Sequence, residues 1–133
     1  MSAYSFTVHT ENHSQMIDIT QQVRQAISES GVKSGIAVIF TSHTTAGITI
    51  NENADPDVKR DLLYALEKAV PWENGYHHSE GNSAAHLKSS IVGCSQAVII
   101  NNGNAVLGTW QGIYFCEFDG PRTRTVFVKI VEG

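Results

Sequence analysis

Alternation of apolar and polar positions predicts two strands and a helix in the first thirty residues. Residues 4–9 follow the period of two that is typical of a half-buried strand, and 16–19 form a second extended segment. Apolar residues at helical spacing over 19–27 predict a helix with one buried face. Gly31 is placed to end this helix in a left-handed cap.

The middle of the chain predicts a central strand, a short strand and a longer helix. Residues 35–40 form a continuous apolar run, as a central strand does, and 48–50 form the short strand. Asp55 and Pro56 are a strong helix start, because Asp55 can accept backbone N–H bonds and proline suits the first turn. Pro71 ends this helix. Its predicted buried stripe consists of Val58, Leu62, Leu66 and Ala69.

The last third of the chain is rich in predicted strands. These strands lie at 97–100, 105–107, 112–118 and 123–131. Runs of strands that are separate from the helices favour an α+β fold with antiparallel pairing over a parallel doubly wound sheet. We therefore expect one domain over 1–133, sandwich-like and mainly antiparallel, with two main helices; the length fits a single core.

Composition narrows the class of protein. Hydrophobic residues make up 41% and charged residues 17% of the chain, which argues against a disordered tail. No apolar run approaches the about 20 residues of a membrane-spanning helix. Nine Lys and Arg against thirteen Asp and Glu give a formal charge of −4, so nucleic-acid binding is not expected. Two cysteines are too few for a disulfide scaffold and no secretory signal is visible, so we expect the cytoplasm. Cys94 and Cys116 are interpreted as small buried hydrophobes.

The segment 42–47 is the first candidate site. It presents His43, Thr44, Thr45 and a glycine between two predicted strands, and small residues of this kind let backbone N–H groups approach an anion. Taken alone, the hydroxyls of this segment are more simply explained by ordinary turn chemistry. Glu52 follows the next strand and has no capping role. It is a candidate general base, or a partner that orients a histidine, and we expect it to face one cleft with His43.

The richest segment is 77–90, which contains three histidines. A cap at 82–83 can begin a short helix that places His86 one turn in. His78 and His86 can then meet His43 around one divalent ion, zinc or magnesium, since three imidazoles and water form an open zinc site. The spacing matches no metalloprotease motif, and a surface histidine loop is the alternative. Whether His77 or His78 faces the site is left open.

Trp110 lies in a glycine-flanked turn between two predicted strands. Three interpretations are open for it. The indole can cover a ligand ring, fill a subunit interface, or pack on the chain's own core.

Together these segments resemble the YjbQ family, small proteins described as secondary thiamine-phosphate synthases. The resemblance spans nearly the whole chain. It is carried by His43-Thr44-Thr45-Ala46, Asn51-Glu52-Asn53, Asp57, His78, Asn82, Ala85-His86-Leu87-Lys88, Gly108-Thr109-Trp110-Gln111 and Asp119-Gly120-Pro121-Arg122.

The resemblance implies an α+β fold, a homotrimer, and a polar site that contains His43, Glu52, His78 and His86. It also implies a transferase of thiamine biosynthesis that joins a pyrimidine methyl diphosphate to a thiazole phosphate and releases pyrophosphate. A divalent ion and cations can stabilise that leaving group. A metal-dependent hydrolase and a non-catalytic trimeric module that binds a phosphorylated metabolite are the alternatives. The expected phosphate-binding residues are Thr44, Thr45, Asn82, Lys88 and Arg122.

Overall fold

Two antiparallel sheets and three helices make up the fold, in a computed structural model that describes residues 3–133. The strands are β1 Tyr4–His9, β2 Gln15–Asp18, β3 Ser34–Phe40, β4 Ala46–Glu52, β5 Ser95–Asn101, β6 Asn104–Ala105, β7 Gln111–Glu117 and β8 Thr123–Glu132. The helices are α1 Thr20–Ser30, α2 Pro56–Ala69 and α3 Ser83–Val92. The larger sheet has the order β1-β8-β3-β5-β6, and the smaller has the order β2-β7-β4. Every strand pair in the described part of the chain is antiparallel, so the predicted α+β class is confirmed.

The two sheets and α1 share one apolar core. Alternate residues of β3 face this core, and both Ala37 and Ile39 are fully buried there. Ile48 and Phe115 enter it from the smaller sheet. Burying a side chain of this size stabilises the fold by about 1.5–3 kcal/mol. The helix α1 covers the core with Val23, Ala26 and Ile27 and ends at Gly31 in the predicted left-handed conformation, with φ 70°.

The outer face of the larger sheet is apolar and exposed. The strand β3 lies in the middle of the sheet, as predicted, but it is buried on one side only. Ile36 is 40%, Ile99 62% and Val131 46% exposed. A row of exposed aliphatic side chains on one face is typical of an interaction surface.

The helix α2 begins as its sequence predicts but packs loosely. Asp55 Oδ1 accepts a hydrogen bond from Asp57 N at 2.9 Å, which is the predicted N-cap. The prediction of a buried stripe is wrong in degree, because no residue of α2 is fully buried. Leu62 and Leu66 pack partly against a second cluster that contains Tyr114. At 14 residues α2 is the longest helix, and none within residues 3–133 is long and apolar enough to cross a membrane.

The cap gives a first prediction. Asp55→Ala should lower the free energy of unfolding by about 1 kcal/mol, since one backbone N–H loses its acceptor. Urea denaturation measures this change. Asp61→Ala, on the exposed face of the same helix, is the matched control and should change stability by less than about 0.5 kcal/mol. Equal effects of the two substitutions would show that the cap contributes nothing specific.

Candidate functional site

The three histidines predicted for the site, His43, His78 and His86, all line one polar cavity. The cavity has a volume of about 430 Å³, within the about 300–1,000 Å³ of small-molecule sites. It lies beside the loop between β3 and β4, the start of α3, and the start of β8. Its lining residues are Ser42, His43, Thr44, Thr45, His78, Glu80, Asn82, His86, Arg122 and Arg124.

The loop that carries His43 is fastened to the sheets at both ends. Thr41 N donates to Cys94 O at 2.9 Å, and Thr41 Oγ1 donates to Thr125 O at 3.1 Å. At the other end, Thr45 O accepts a bond from Phe118 N at 3.1 Å. Two of these bonds are between backbone groups and one uses the Thr41 hydroxyl, and all three reach residues that are distant in the sequence. The histidine between these two ends is therefore held at a fixed place in the cavity wall.

His43 is held by a backbone donor. Thr125 N donates a hydrogen bond to His43 Nε2 at 3.0 Å. Burial and the nearby charge of Arg124, with a smaller contribution from Arg122, lower the pKa of His43; the Glu117 carboxylate opposes them. Both the hydrogen bond and the charges favour the neutral imidazole.

A buried ion pair forms the floor of the cavity. Arg124 is 3% and Glu117 0% exposed. Arg124 Nε donates to Glu117 Oε1 at 2.8 Å, and its Nη2 binds Glu117 Oε2 and Thr45 Oγ1. Burial alone would raise the pKa of Glu117, but hydrogen bonds from Arg124, Asp119 N and Thr10 outweigh it and lower that pKa. Sequence reasoning missed Arg124 as a site residue.

A single carboxylate positions two of the predicted phosphate-binding residues. Arg122 Nη2 donates to Asp119 Oδ2 at 2.8 Å, and Asn82 Nδ2 donates to the same oxygen at 2.9 Å. Asn82 begins α3 without a side-chain cap, so the capping role expected at 82–83 is not observed. Asn82 Oδ1 is buried and has no hydrogen-bond partner within residues 3–133. Asp119 thus fixes the orientation of both side chains.

His78 and His86 contact each other in the wall of the cavity. Their ring centroids are 5.4 Å apart and the rings are perpendicular. His86 lies one turn inside α3, as predicted. His78 lines the polar cavity, whereas His77 lines only a neighbouring, more apolar recess beside Tyr76. Of the two loop histidines, His78 is therefore the one that faces the cavity.

Two predicted site residues lie outside the cavity. Glu52 is at the far end of β4, about 20 Å along the strand from the end next to His43, and the expectation that the two face one cleft is not met in this chain. Only another copy of the chain can bring a Glu52 to the cavity. Lys88, expected to bind phosphate, is 1% exposed and paired with Glu67 of α2. It points between two helices because its position on α3 faces α2 and not the cavity.

The divalent ion stays a prediction. Within residues 3–133, no three His, Cys, Asp or Glu side chains are placed to hold a metal ion together. The Nε2 lone pair of His43 is already used by Thr125 N–H. Since a metal-bound imidazole must offer a free lone pair, His43 does not fit the expected three-imidazole site in this arrangement. No step below depends on a metal.

The cysteines and Trp110 differ in their surroundings. Burial raises the pKa of the Cys116 thiol to about 12, so it is no nucleophile. Cys94 is exposed, and its predicted burial is wrong because it lies in the open recess beside the loop at His43. Trp110 is 62% exposed, which excludes packing on the chain's own core. Two interpretations of its indole remain, contact with a ligand and burial in a subunit interface.

The fold and the site define a class: a small α+β protein with a polar, histidine-lined cavity beside its two antiparallel sheets. The family model described as UPF0047 protein YjbQ-like matches residues 4–133. The chain belongs to this family, which confirms the resemblance seen in the sequence.

Relatives and solved structures agree with this assignment. The UPF0047 protein YugU of Bacillus subtilis is 58% identical over 125 residues, which cover 93% of this chain and 95% of YugU. The crystal structure of an uncharacterised YjbQ/UPF0047 protein from Clostridium acetobutylicum has a TM-score of 0.95 at 60% identity and covers 96% of this chain and 99% of its own. A hypothetical protein from Aeropyrum pernix has a TM-score of 0.95 at 36% identity, with 100% of both chains covered. The names of these three proteins state no activity.

Proposed function

We propose that this chain is a thiamine-phosphate synthase-type transferase that binds its phosphorylated substrates at the histidine cavity. It joins a pyrimidine methyl diphosphate to a thiazole phosphate. The bond between the methylene carbon and the diphosphate oxygen breaks, the thiazole nitrogen bonds to that carbon, and pyrophosphate leaves. The reaction comes from the family resemblance; the place of binding comes from the cavity. We expect it to take place in the cytoplasm.

The observation that carries the proposal is the convergence of His43, His78 and His86 with two guanidinium groups in one cavity. Departure of pyrophosphate needs donors aimed at the developing negative charge. Arg122 and Arg124 supply such donors, although each already has a carboxylate partner. The cavity therefore has little net positive charge, and directional N–H and O–H groups must contribute to holding the leaving group.

A non-catalytic module that binds a phosphorylated metabolite is the second candidate. One observation favours it: Glu52, the residue expected to act as a base, is absent from the cavity of its own chain. Glu80 is the carboxylate that lines the cavity, and its side chain is 72% exposed. A binding site needs donors and no base.

One assay separates the candidates. Wild-type protein is incubated with the pyrimidine diphosphate, with and without the thiazole phosphate, and thiamine phosphate and pyrophosphate are quantified. A transferase forms both products only when both substrates are present. Release of pyrophosphate without the thiazole indicates hydrolysis. Saturable binding without either product supports the module and contradicts the transferase.

We also propose that the chain forms a homo-oligomer through the outer face of the larger sheet, with the trimer number taken from the resemblance. The exposed side chains of Ile36, Ile99 and Val131 form an apolar surface on neighbouring strands. Association of copies through this surface would remove it from water.

Light scattering tests the assembly. The wild type should have a mass of three times the 14.5 kDa chain, and Ile99→Asp should lower the mass because it puts a charge in a desolvated interface. Tyr64→Asp, at an equally exposed position on α2, is the control and should leave the mass unchanged. A wild-type monomer at micromolar concentration would contradict the proposal.

A further inference from the structure

The hydrogen bond to His43 determines which ring nitrogen carries the proton. A backbone N–H is a donor and cannot accept, so the nitrogen facing Thr125 N must offer a lone pair. In a neutral imidazole the other nitrogen then holds the proton. His43 is therefore the tautomer with hydrogen on Nδ1 and none on Nε2.

The Nδ1–H group is left for a ligand. Nδ1 of His43 makes no hydrogen bond within residues 3–133, and it is not among the buried atoms without a partner. His43 is partly buried and lines both the polar cavity and the recess beside Cys94, so this N–H is open to a ligand at the loop. Thr44 and Ser42, both exposed, flank His43 at the same wall.

The proton on Nδ1 determines what kind of ligand His43 can bind. The guanidinium groups of Arg124 and Arg122 are close enough to lower the pKa of His43. Glu117 and Asp119 balance these two charges, so the ligand is selected by the donor at Nδ1, which binds an acceptor such as an anion and not a cation. A cation at Nδ1 would also require that nitrogen to lose its proton while Nε2 still accepts from Thr125, which leaves an imidazolate.

We propose that His43 is a tautomer-fixed neutral donor whose Nδ1–H binds a phosphate or diphosphate oxygen, and that Thr125 is the residue that positions it. This inference rests on the proposed function for the identity of the ligand. It goes beyond that function by assigning a role to the Nδ1–H group of His43. His43 then stabilises the leaving pyrophosphate by a hydrogen bond. It does not coordinate an ion.

Two substitutions separate the two ring nitrogens. In His43→Asn the side-chain amide can place a donor near the position of Nδ1, and in His43→Gln the amide oxygen can reach the position of Nε2 and accept from Thr125 N. Pyrophosphate binding is measured by calorimetry on the full chain. We expect His43→Gln to weaken binding by about 10- to 100-fold, the range for a hydrogen bond to a charged group, and His43→Asn to weaken it less. Both variants are first checked for a wild-type amide spectrum.

The tautomer itself is read without a ligand. Nitrogen-15 spectra of the histidine rings at pH 8 should show a protonated Nδ1 and an unprotonated Nε2 for His43. A protonated Nε2, or zinc that binds the wild type and shifts both His43 nitrogens, would overturn the inference, as would a wild type that does not bind pyrophosphate. Tight pyrophosphate binding without any thiamine phosphate formation would contradict the proposed reaction and leave this inference standing.

Discussion

Glu117→Ala is expected to lower the free energy of unfolding by about 3–5 kcal/mol, because it leaves the Arg124 guanidinium buried without a carboxylate. Asp119 N would lose its acceptor in the same step, and Thr10 Oγ1 would keep Arg122 O alone. A loss of this size is a large fraction of the total stability of a small domain.

Urea denaturation at pH 7 measures the effect, with Asp57→Ala as the matched control. Asp57 pairs with Arg60 on the exposed surface of α2, where an ion pair contributes about 1 kcal/mol or less. The double variant Glu117→Leu/Arg124→Met should be more stable than Glu117→Ala, since it removes both charges. If Glu117→Ala destabilises no more than Asp57→Ala, the buried pair does not hold the floor of the cavity.

The same pair predicts the direction of acid sensitivity. The pKa of Glu117 lies below its ordinary value of 4.5 in the folded protein, so the unfolded chain binds more protons as the pH falls. The stabilisation is present above about pH 4.5 and is lost as the pH falls through the lowered pKa. The acid-induced loss of stability should therefore be smaller in Glu117→Gln than in the wild type.

His86→Ala should reduce thiamine-phosphate formation by about 10²-fold or more, the contribution of a positioned acid, base or donor. His86 of α3 lines the cavity together with His43 and contacts the ring of His78. The fold should be retained, because His86 is only partly buried. The rate is measured under saturating substrates, together with a thermal melt.

Two controls make this result specific to the cavity. His9→Ala removes an exposed histidine of β1 and should keep the wild-type rate. Glu52→Gln should also stay within about threefold of the wild type, since its side chain lies about 20 Å away along β4. A 10²-fold loss in Glu52→Gln with a normal His86→Ala would reverse the assignment and require a site built from two copies.

The elements were predictable where local chemistry decides them. The Asn102-Gly103 turn has positive φ at both residues, as this dipeptide favours, and Asp55 caps α2 as its place before Pro56 predicts. Gly31 ends α1 in the left-handed region for the same local reason. None of these features depends on the rest of the fold.

The buried ion pair at the floor of the cavity was harder to predict from the sequence, because its two residues come from different parts of the fold. Residues that face the core alternate with exposed residues along β8, and Arg124 lies on the same face as Val126 and Val128. This position in the sequence indicates that its charge is buried and needs a partner. The partner, Glu117, lies in a different strand of the other sheet, and no local pattern identifies it. The prediction for Glu52 was wrong because β4 is longer than the strand predicted at 48–50. It extends from Ala46 to Glu52, so its first residue lies near His43 and its last lies about 20 Å away.

A titration of nitrogen-15-labelled protein with pyrophosphate tests the central claim most directly, because amide shifts report where the ligand binds. We predict saturable shifts confined to residues 42–45, 78–86 and 122–125, the segments around the cavity. Shifts centred on Glu52 and Trp110 at the other end of β4, or no saturable shifts at all, would contradict the claim that the histidine cavity binds the phosphorylated ligand.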